Sequence, residues 1–154
     1  MIMYKRITIC SLIFVFIDQI VKIILNNTIK LYDSKHIIKD FFSLTLVHNN
    51  GAAFSILEDS KIILIGVAII SLVFIFYFFI KDKKINNVDI IIYSMLIGGI
   101  VGNLIDRILY GYVIDYLDFN IFGYNFPIFN FADILIVISV IMLIIFCINE
   151  TNYE

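Results

Sequence analysis

Two aspartates, Asp115 and Asp133, have the residue type and the separation that acid–base chemistry needs. The segment that joins them is short enough to bring both carboxylates to one place. Two carboxylates a few ångströms apart cannot both ionise cheaply, so they share one proton and titrate as a unit. One of them takes a proton from water as the water attacks a carbonyl, and the other protonates the carbonyl oxygen. A pair of unrelated interfacial carboxylates is the alternative that the spacing leaves open.

Other polar side chains interrupt apolar stretches, and each needs a reason because a charge inside a membrane costs at least ~2.5 kcal/mol. Asp18 and Lys22 are four residues apart and share a helix face, which suits a mutual ion pair that makes insertion tolerable. Asn103, Asp106 and Arg107 also share one face, which taken alone suits a structural network. The polar residues within or beside the apolar stretches are Asp18, Lys22, Asn103, Asp106, Arg107, Asn130 and Asp133.

Membrane helices are the elements that must position these residues. The chain has 154 residues, 62% hydrophobic and 16% charged, whereas a soluble domain is nearer half apolar and a quarter charged. A span needs about 20 apolar residues. Four stretches approach this length, at residues 7–25, 62–80, 90–109 and 129–148. We therefore expect an all-α integral membrane protein with four transmembrane helices in a single domain over residues 1–154.

Positively charged flanks predict the orientation, because Lys and Arg in short loops are retained on the cytoplasmic side. Lys5 and Arg6 precede the first stretch, and Lys81, Lys83 and Lys84 follow the second. Both groups are cytoplasmic only if the N-terminus is cytoplasmic. Four spans then return the C-terminus to the same side.

Depth along the helices places the polar residues at one level. With a rise of about 1.5 Å per residue and a core about 30 Å thick, Asp18 and Lys22 fall in the outer half of the first span. The third span carries its polar residues near its outer end, with Asp115 just beyond it, and the fourth span begins beside Asp133. Such a cluster at the outer interface is typical of a site, whereas structural pairs would be scattered in depth.

The loop of residues 26–61 must then lie outside, and it is long enough to hold structure of its own. Side chains alternate over residues 42–47, which predicts a half-buried strand. A second β element is predicted at residues 121–129, where Gly123 suits a hairpin turn. We expect a small extracytoplasmic region that contains β-structure, and we expect Asp118 to be a solvated loop carboxylate.

Charge and residue types disfavour several classes of function. The net charge is −2, so the basic surface that nucleic-acid binding requires is missing. His36 and His48 have no cluster of His or Cys at ligand spacing, so neither a metal nor another cofactor is expected. No serine beside a His or Lys gives a convincing nucleophile, and no glycine-rich phosphate loop follows a strand.

Five short motifs run through the chain. They are Asp18-Gln19-x-x-Lys22, Asn49-Asn50-Gly51-Ala52-Ala53-Phe54, Gly98-Gly99-x-x-Gly102-Asn103-x-x-Asp106-Arg107, Gly111-x-Val113-x-Asp115-Tyr116 and Phe126-Pro127-x-Phe129-Asn130-x-Ala132-Asp133. In this order, and in a four-span protein of this size, they closely resemble the motifs of the bacterial lipoprotein signal peptidases, or signal peptidase II. Tyr116 departs from that pattern, since the family usually has Phe there, but it preserves an aromatic ring.

The resemblance implies a membrane-embedded aspartyl endopeptidase that removes the signal peptide from diacylglyceryl-modified prolipoproteins and cleaves before the lipidated cysteine. Asp115 and Asp133 correspond to the catalytic dyad. The resemblance also implies residues that orient the dyad, bind the substrate or support the site, namely Asp18, Lys22, Asn49, Asn103, Asp106, Arg107 and Asn130. The implied location is the bacterial cytoplasmic (inner) membrane, with both termini cytoplasmic and membrane lipids as further partners.

Two other classes of function stay open from the residues alone. A small proton- or ion-coupled transporter uses intramembrane carboxylates as a relay. It would be expected to place polar groups near the midplane and to show repeat symmetry between its halves. A purely structural four-helix scaffold leaves Asp115, Asp133 and Arg107 without a purpose.

Overall fold

The computed structural model describes residues 2–51, 60–81 and 84–151, with only the backbone described for residues 147–151. In chain order the elements are α1 (Ile2–Thr28), β1 (Ser34–Ile38), β2 (Phe42–Asn49), α2 (Lys61–Ile75), a π-helical segment (Phe76–Ile80), α3 (Asn87–Leu109), β3 (Val113–Ile121), β4 (Tyr124–Asn125) and α4 (Phe131–Thr151). Four residues named in the motifs and flanks lie outside the described residues, namely Ala52, Ala53, Phe54 and Lys83.

The four helices form at the four apolar stretches that the sequence predicts. Three helical stretches are long and apolar enough to cross a membrane, namely Ile2–Thr28, Lys61–Ile80 and Asn87–Leu109. The fourth has a shorter apolar part among its described side chains, Phe131–Phe146. Helix α1 extends beyond residues 7–25 at both ends, because hydropathy marks only the apolar turns of a helix.

Helix α3 lies between α1 and α4 and approaches both closely. A Cβ added at Gly98 would lie 2.8 Å from the Cβ of Phe14, and one at Gly102 would lie 2.6 Å from Asp18 Oδ2. A Cβ at Gly99 would lie 2.5 Å from the carbonyl oxygen of Ala132. These distances are too short for any side chain, so the glycines let α1 and α4 pack directly against the backbone of α3.

An antiparallel sheet in the order β1-β2-β3-β4 accompanies the helices, so the expectation of an all-α protein describes the helical part alone. The strand predicted over residues 42–47 is confirmed as β2. The predicted hairpin is also confirmed, with Phe122 and Gly123 at positive φ in its turn. Its first strand is longer than predicted, because β3 begins at Val113.

Asp118 is not the solvated loop carboxylate that was expected. It lies on β3, is partly buried, and accepts a hydrogen bond of 2.6 Å from Thr45 Oγ1 on β2. The expectation was wrong because the buried part of β3 has no alternation that would mark it as a strand.

The segment before α4 is tied to β3. Leu117 and Phe129 exchange backbone hydrogen bonds of 2.8 and 3.2 Å. For this reason α4 begins later than the predicted stretch at residues 129–148. The pairing also brings the first turn of α4 beside Asp115.

Candidate active site

Asp115 is buried on β3, with 2% of the residue exposed, and both of its carboxylate oxygens accept hydrogen bonds from amides. Asn49 Nδ2 donates to Oδ2 at 2.8 Å, and Asn130 Nδ2 donates to Oδ1 at 2.6 Å. Asn49 reaches this position because β2 pairs with β3, and a register shift after Leu44 places Val47 opposite Asp115. The carboxylate is therefore held by neutral donors.

Asp133 lies in the first turn of α4, and the Asn-x-x-Asp spacing explains how it is held. The backbone N–H of Asn130 donates to Asp133 Oδ2, and the backbone N–H of Asp133 donates to Asn130 Oδ1, both at 3.0 Å. This reciprocal pair is a capping box, which satisfies backbone donors that the start of a helix leaves open. The other carboxylate oxygen, Oδ1, accepts from Asn103 Nδ2 at 2.7 Å.

Asn130 and Asn103 join the two carboxylates into one network. Besides its bond to Asp115, Asn130 Nδ2 donates to Asn103 Oδ1 at 3.1 Å. Because Asn103 Nδ2 donates to Asp133, a chain of amides runs from one aspartate to the other. The structure thus brings both predicted catalytic residues together through two predicted supporting residues.

A cavity of about 910 Å³ opens at the two carboxylates. Five of the predicted site residues line it, namely Asn49, Asn103, Arg107, Asp115 and Asp133. Much of the remaining wall is apolar. An apolar cavity with a few convergent polar groups is the usual form of a small-molecule or peptide site.

Burial, followed by the negative charge of Asp133, raises the pKa of Asp115 to about 7. The hydrogen bonds from Asn49 and Asn130 act in the opposite direction, because they stabilise the ionised form. A carboxyl group with a pKa near 7 both gives and takes a proton readily at neutral pH. Burial also raises the pKa of the Tyr116 hydroxyl, which therefore stays protonated.

Asp18, Lys22 and Asp106 form a second group, the buried ion cluster. Lys22 Nζ lies 2.9 Å from Asp18 Oδ2 and 2.8 Å from Asp106 Oδ2, and all three side chains are at most 1% exposed. The predicted Asp18–Lys22 pair is present, and α3 adds a second carboxylate to it. These three residues are not among the described residues that line the cavity.

The buried ion cluster fixes the elements that carry the two aspartates. Asp18 Oδ1 accepts from the backbone N–H of Ala132 at 3.1 Å, in the first turn of α4. Asp106 Oδ2 accepts from the backbone N–H of Ile114 at 3.2 Å, next to Asp115. Lys22 Nζ also donates to Asn103 Oδ1 at 3.0 Å. The cluster therefore holds α1, α3, β3 and α4 in one arrangement.

Two further residues support this arrangement without having been predicted to. Gln19 Nε2 lies within hydrogen-bond distance of both acids of the cluster, at 2.9 Å from Asp106 Oδ1 and 3.3 Å from Asp18 Oδ2. The Tyr116 hydroxyl accepts from the backbone N–H of Phe131 at 3.2 Å. Their position inside the motifs was the only sign in the sequence that these residues contribute to the site. Their roles depend on contacts with residues that are distant in the sequence.

Arg107 faces the cavity from α3. Its Nη2 donates to the carbonyl oxygen of Gly51 at 3.2 Å, and its Nη1 donates to that of Asn103 at 3.4 Å. The Nε atom is buried and has no hydrogen-bond partner among the described residues. Arg107 therefore ties the end of β2 to α3, and one of its donors is unpaired within the described part of the chain.

The two histidines, His36 and His48, are not arranged as metal ligands. His48 lines the cavity, stacks on Tyr112 with ring centroids 3.8 Å apart, and has Nε2 3.1 Å from Asn26 Oδ1. Burial lowers its pKa, so it is neutral at pH 7. His36 pairs with Ser43. Across residues 2–51, 60–81 and 84–151, no group of three His, Cys, Asp or Glu is placed to hold a metal ion.

Comparisons with known proteins place the sequence of this chain in a family. Residues 10–149 match the family model described as signal peptidase (SPase) II. The chain is 44% identical over 138 residues to lipoprotein signal peptidases of Staphylococcus aureus, among them that of strain Newman, over 90% of this chain and 85% of those relatives.

Two solved structures have a similar fold. The fold is similar to that of one bacterial membrane enzyme with a TM-score of 0.88 and 40% identity, over 96% of this chain and 90% of that one. A second bacterial membrane enzyme has a TM-score of 0.80 and 42% identity, over 90% of each chain.

Proposed function

Because the chain belongs to the signal peptidase II family, we propose that Asp115 and Asp133 are the catalytic pair of an intramembrane aspartyl endopeptidase. Family membership makes the protein a bacterial membrane peptidase that processes lipoproteins. Our proposal adds the bond and the mechanism. The enzyme removes the signal peptide from diacylglyceryl-modified prolipoproteins and cleaves on the N-terminal side of the lipidated cysteine.

The observation that carries the proposal is the way in which the two carboxylates are held. Both line one cavity, and one chain of neutral amides connects them. Among the described residues, the salt bridges within 4.0 Å all involve Lys22, so neither Asp115 nor Asp133 has a cation at that distance. Two close carboxylates without a cation retain a proton between them near neutral pH.

The protonated pair supplies both halves of peptide hydrolysis. The ionised carboxylate takes a proton from water while the water oxygen attacks the carbonyl carbon of the scissile bond. The other carboxyl group donates its proton to the carbonyl oxygen, and a tetrahedral intermediate forms. When this intermediate collapses, the C–N bond breaks and the nitrogen of the lipidated cysteine takes a proton from the pair. The two carboxyl groups and water suffice, so we expect no cofactor or metal.

Arg107 and the amides position the substrate and the dyad. Arg107 lines the cavity, and its guanidinium donors suit a backbone carbonyl of an extended substrate. Among the described residues, its Nε–H has no hydrogen-bond partner. Asn49 and Asn130 keep Asp115 in one rotamer through hydrogen bonds to both of its oxygens. The buried ion cluster acts behind them, and we assign it a supporting role.

We propose that α4 also crosses the membrane, which gives four spans with both termini cytoplasmic. Its 21 residues extend about 31 Å at a helical rise of about 1.5 Å per residue. Arg6 Nη1 donates to Asn87 Oδ1 at 2.9 Å, so the starts of α1 and α3 lie at the same end. Lys81 and Lys84 precede α3 at this end, which supports a cytoplasmic location for it.

The sheet and the cavity then lie near the outer face of the bacterial inner membrane. A substrate whose lipid is inserted in the bilayer presents its scissile bond at a fixed depth, which lowers the entropic cost of aligning it with the carboxylates. Apolar residues such as Phe16, which is 66% exposed, face the surrounding membrane lipids. The net charge of −2 gives no support to nucleic-acid binding.

The ion-coupled transporter is less well supported than the peptidase. Its relay would need carboxylates near the middle of the helices. Asp106 lies near the end of α3, and Asp133 lies near the start of α4. The polar groups therefore gather at one end of the helices.

A processing assay tests the proposal. Purified enzyme is incubated with a diacylglyceryl-modified prolipoprotein, and the product is followed by gel shift and by intact mass. We expect a product that begins at the lipidated cysteine. A product that begins at any other residue would contradict the proposed cleavage position.

Two further arms of the same assay test the substrate and the mechanism. The unlipidated precursor should stay uncleaved, because its scissile bond is not held at the depth of the carboxylates. Chelators should leave the rate unchanged. Inhibition by a chelator that is reversed when a metal is added back would refute the two-aspartate mechanism.

A further inference from the structure

A second cavity of about 460 Å³, the interhelix groove, lies between α2, α3 and α4. Its deep side is formed by α3, where Leu96 is 6% exposed. Its walls come from α2 and α4, where Ile70, Phe74 and Val140 are 69%, 50% and 39% exposed. No charged residue is among the described residues that line the groove, so it suits an apolar ligand from the bilayer.

The groove borders the catalytic cavity at Ile136. Ile136 lines both cavities and lies one helical turn beyond Asp133 on α4. It packs against Gly99 of α3, where a Cβ would lie 2.7 Å from its Cγ1. From there the groove follows α4 to Leu143, about 15 Å from the level of Asp133 at a rise of about 1.5 Å per residue.

The π-helical segment shapes the far end of the groove. The backbone N–H of Lys81 donates to the carbonyl oxygen of Phe76 at 2.7 Å, a bond between residues five apart. In an α-helix, residues five apart point about 140° away from each other. The wider turn brings Phe79 towards the face of Phe74, and both line the groove with ring centroids 5.9 Å apart. Single π-helical turns often occur at functional sites.

The volume of the groove distinguishes between two apolar occupants, the helix of a signal peptide and a single acyl chain. The helix of a signal peptide is about 10 Å across, and a 15 Å length of it occupies on the order of 1,000 Å³. The groove has less than half of that volume. It therefore has room for a single hydrocarbon chain but is too small to enclose a helix.

We propose that the interhelix groove binds one acyl chain of the substrate's diacylglyceryl group, and that Phe79 and Tyr93 at its far end limit the length of that chain. This inference rests on the proposed function, because that function is what makes a diacylglyceryl-modified prolipoprotein the substrate. The acyl chains are attached to the cysteine next to the scissile bond. A chain that leaves the catalytic cavity past Ile136 enters the groove.

Filling the groove tests the proposal. Peptide substrates that differ only in acyl length, long or short, are cleaved by the wild type and by Val140→Phe. We expect kcat/KM for the long-chain substrate to fall about tenfold relative to the short-chain one, which corresponds to the loss of about two buried methylene groups. Val73→Phe is the matched control, because Val73 is 51% exposed on α2 and does not line the groove. Its ratio should equal that of the wild type.

A second variant keeps the test decisive if Val140→Phe does not fold. Phe79→Ala should lengthen the groove and raise kcat/KM for chains longer than those the wild type prefers. Unchanged length preferences in the folded variants would overturn the proposal and leave the groove to bulk lipid. Cleavage of neither substrate by the wild type would remove the proposed function, and the groove proposal with it.

Discussion

Two groups of carboxylates lie at the same end of the protein, and they are held in opposite ways. In the buried ion cluster, Asp18 and Asp106 both lie within 3 Å of the ammonium group of Lys22. Asp115 and Asp133 accept hydrogen bonds from neutral amides and line a cavity. The cluster lies away from the cavity lining, whereas the pair is open to it.

The difference separates positioning from chemistry. A carboxylate beside a buried cation is held in place by an ion pair, and breaking such a pair leaves an uncompensated charge that destabilises the fold. A carboxylate held by amides is fixed in position, but its proton is free to move. We propose that the first arrangement stabilises the elements that carry the site and that the second supplies the acid and the base. Substitutions in the two groups should therefore affect different measurements.

The largest effect that we expect is the loss of turnover in the Asp133→Asn variant. Its amide oxygen still accepts from the backbone of Asn130, so the capping box and the fold are kept, but the acid–base pair is lost. We expect kcat/KM to fall by about 10⁴-fold or more, as for other residues of catalytic pairs. The thermal unfolding temperature in detergent should stay close to that of the wild type. Turnover at the wild-type rate would remove Asp133 from the mechanism.

The second largest effect that we expect is a loss of stability in the Lys22→Met variant. This change leaves Asp18 and Asp106 buried without their cation, and we expect the free energy of unfolding to fall by about 3–5 kcal/mol. Denaturant or thermal unfolding in detergent measures it. Lys30→Met is the control, because Lys30 is exposed, and its stability should stay at the wild-type value. Equal stability of the two variants would mean that the cluster does not hold the fold.

Arg107 lines the same cavity as Asp115 and Asp133, and Arg107→Lys should have an intermediate effect on rate. Lysine keeps the charge but loses the planar fork that donates to two backbone carbonyls, and we expect kcat/KM to fall about 10- to 100-fold. Arg6→Lys is the control, because Arg6 lies near the start of α1, at the opposite end of the helices from the cavity. It should have no effect on kcat/KM. If both variants are as active as the wild type, the fork of Arg107 has no part in substrate positioning.

The smallest effect that we expect is a shift in the pH dependence of kcat/KM in the Asn49→Leu variant. The pKa of Asp115 is about 7, so kcat/KM of the wild type should decline above about pH 7 as the shared proton is lost. Asn49 stabilises the ionised carboxylate, so its removal raises the pKa and moves this decline to higher pH, by up to about one unit. A pH–rate profile of both enzymes measures the shift. A shift to lower pH would contradict the assigned hydrogen bond.

Hydropathy predicted the helices well because membrane burial leaves a strong signal in composition. Alternation predicted β2, which is half buried. It did not predict β1, whose five residues are all exposed, or β3, whose first four residues are all buried, because neither strand alternates. The π-helical segment leaves no sequence signature, since it differs from an α-helix only in its hydrogen-bonded partners.

The site residues were predicted more completely than their contacts. The sequence paired Asp18 with Lys22 and placed Asp106, 84 residues after Lys22, at a similar depth, but it did not predict that Asp106 contacts Lys22. The bond from Asn49 to Asp115 depends on the register shift between β2 and β3, which a single sequence does not reveal. Contacts between distant segments need the folded chain.

The most direct test of the two-aspartate account is the processing of a diacylglyceryl prolipoprotein by Asp115→Asn beside Asp118→Asn. Both residues lie on β3, and both changes replace a carboxylate by an amide, but Asp118 contacts Thr45 and does not line the cavity. We predict full processing by Asp118→Asn and no detectable product from folded Asp115→Asn. Equal processing by the two variants would contradict the account.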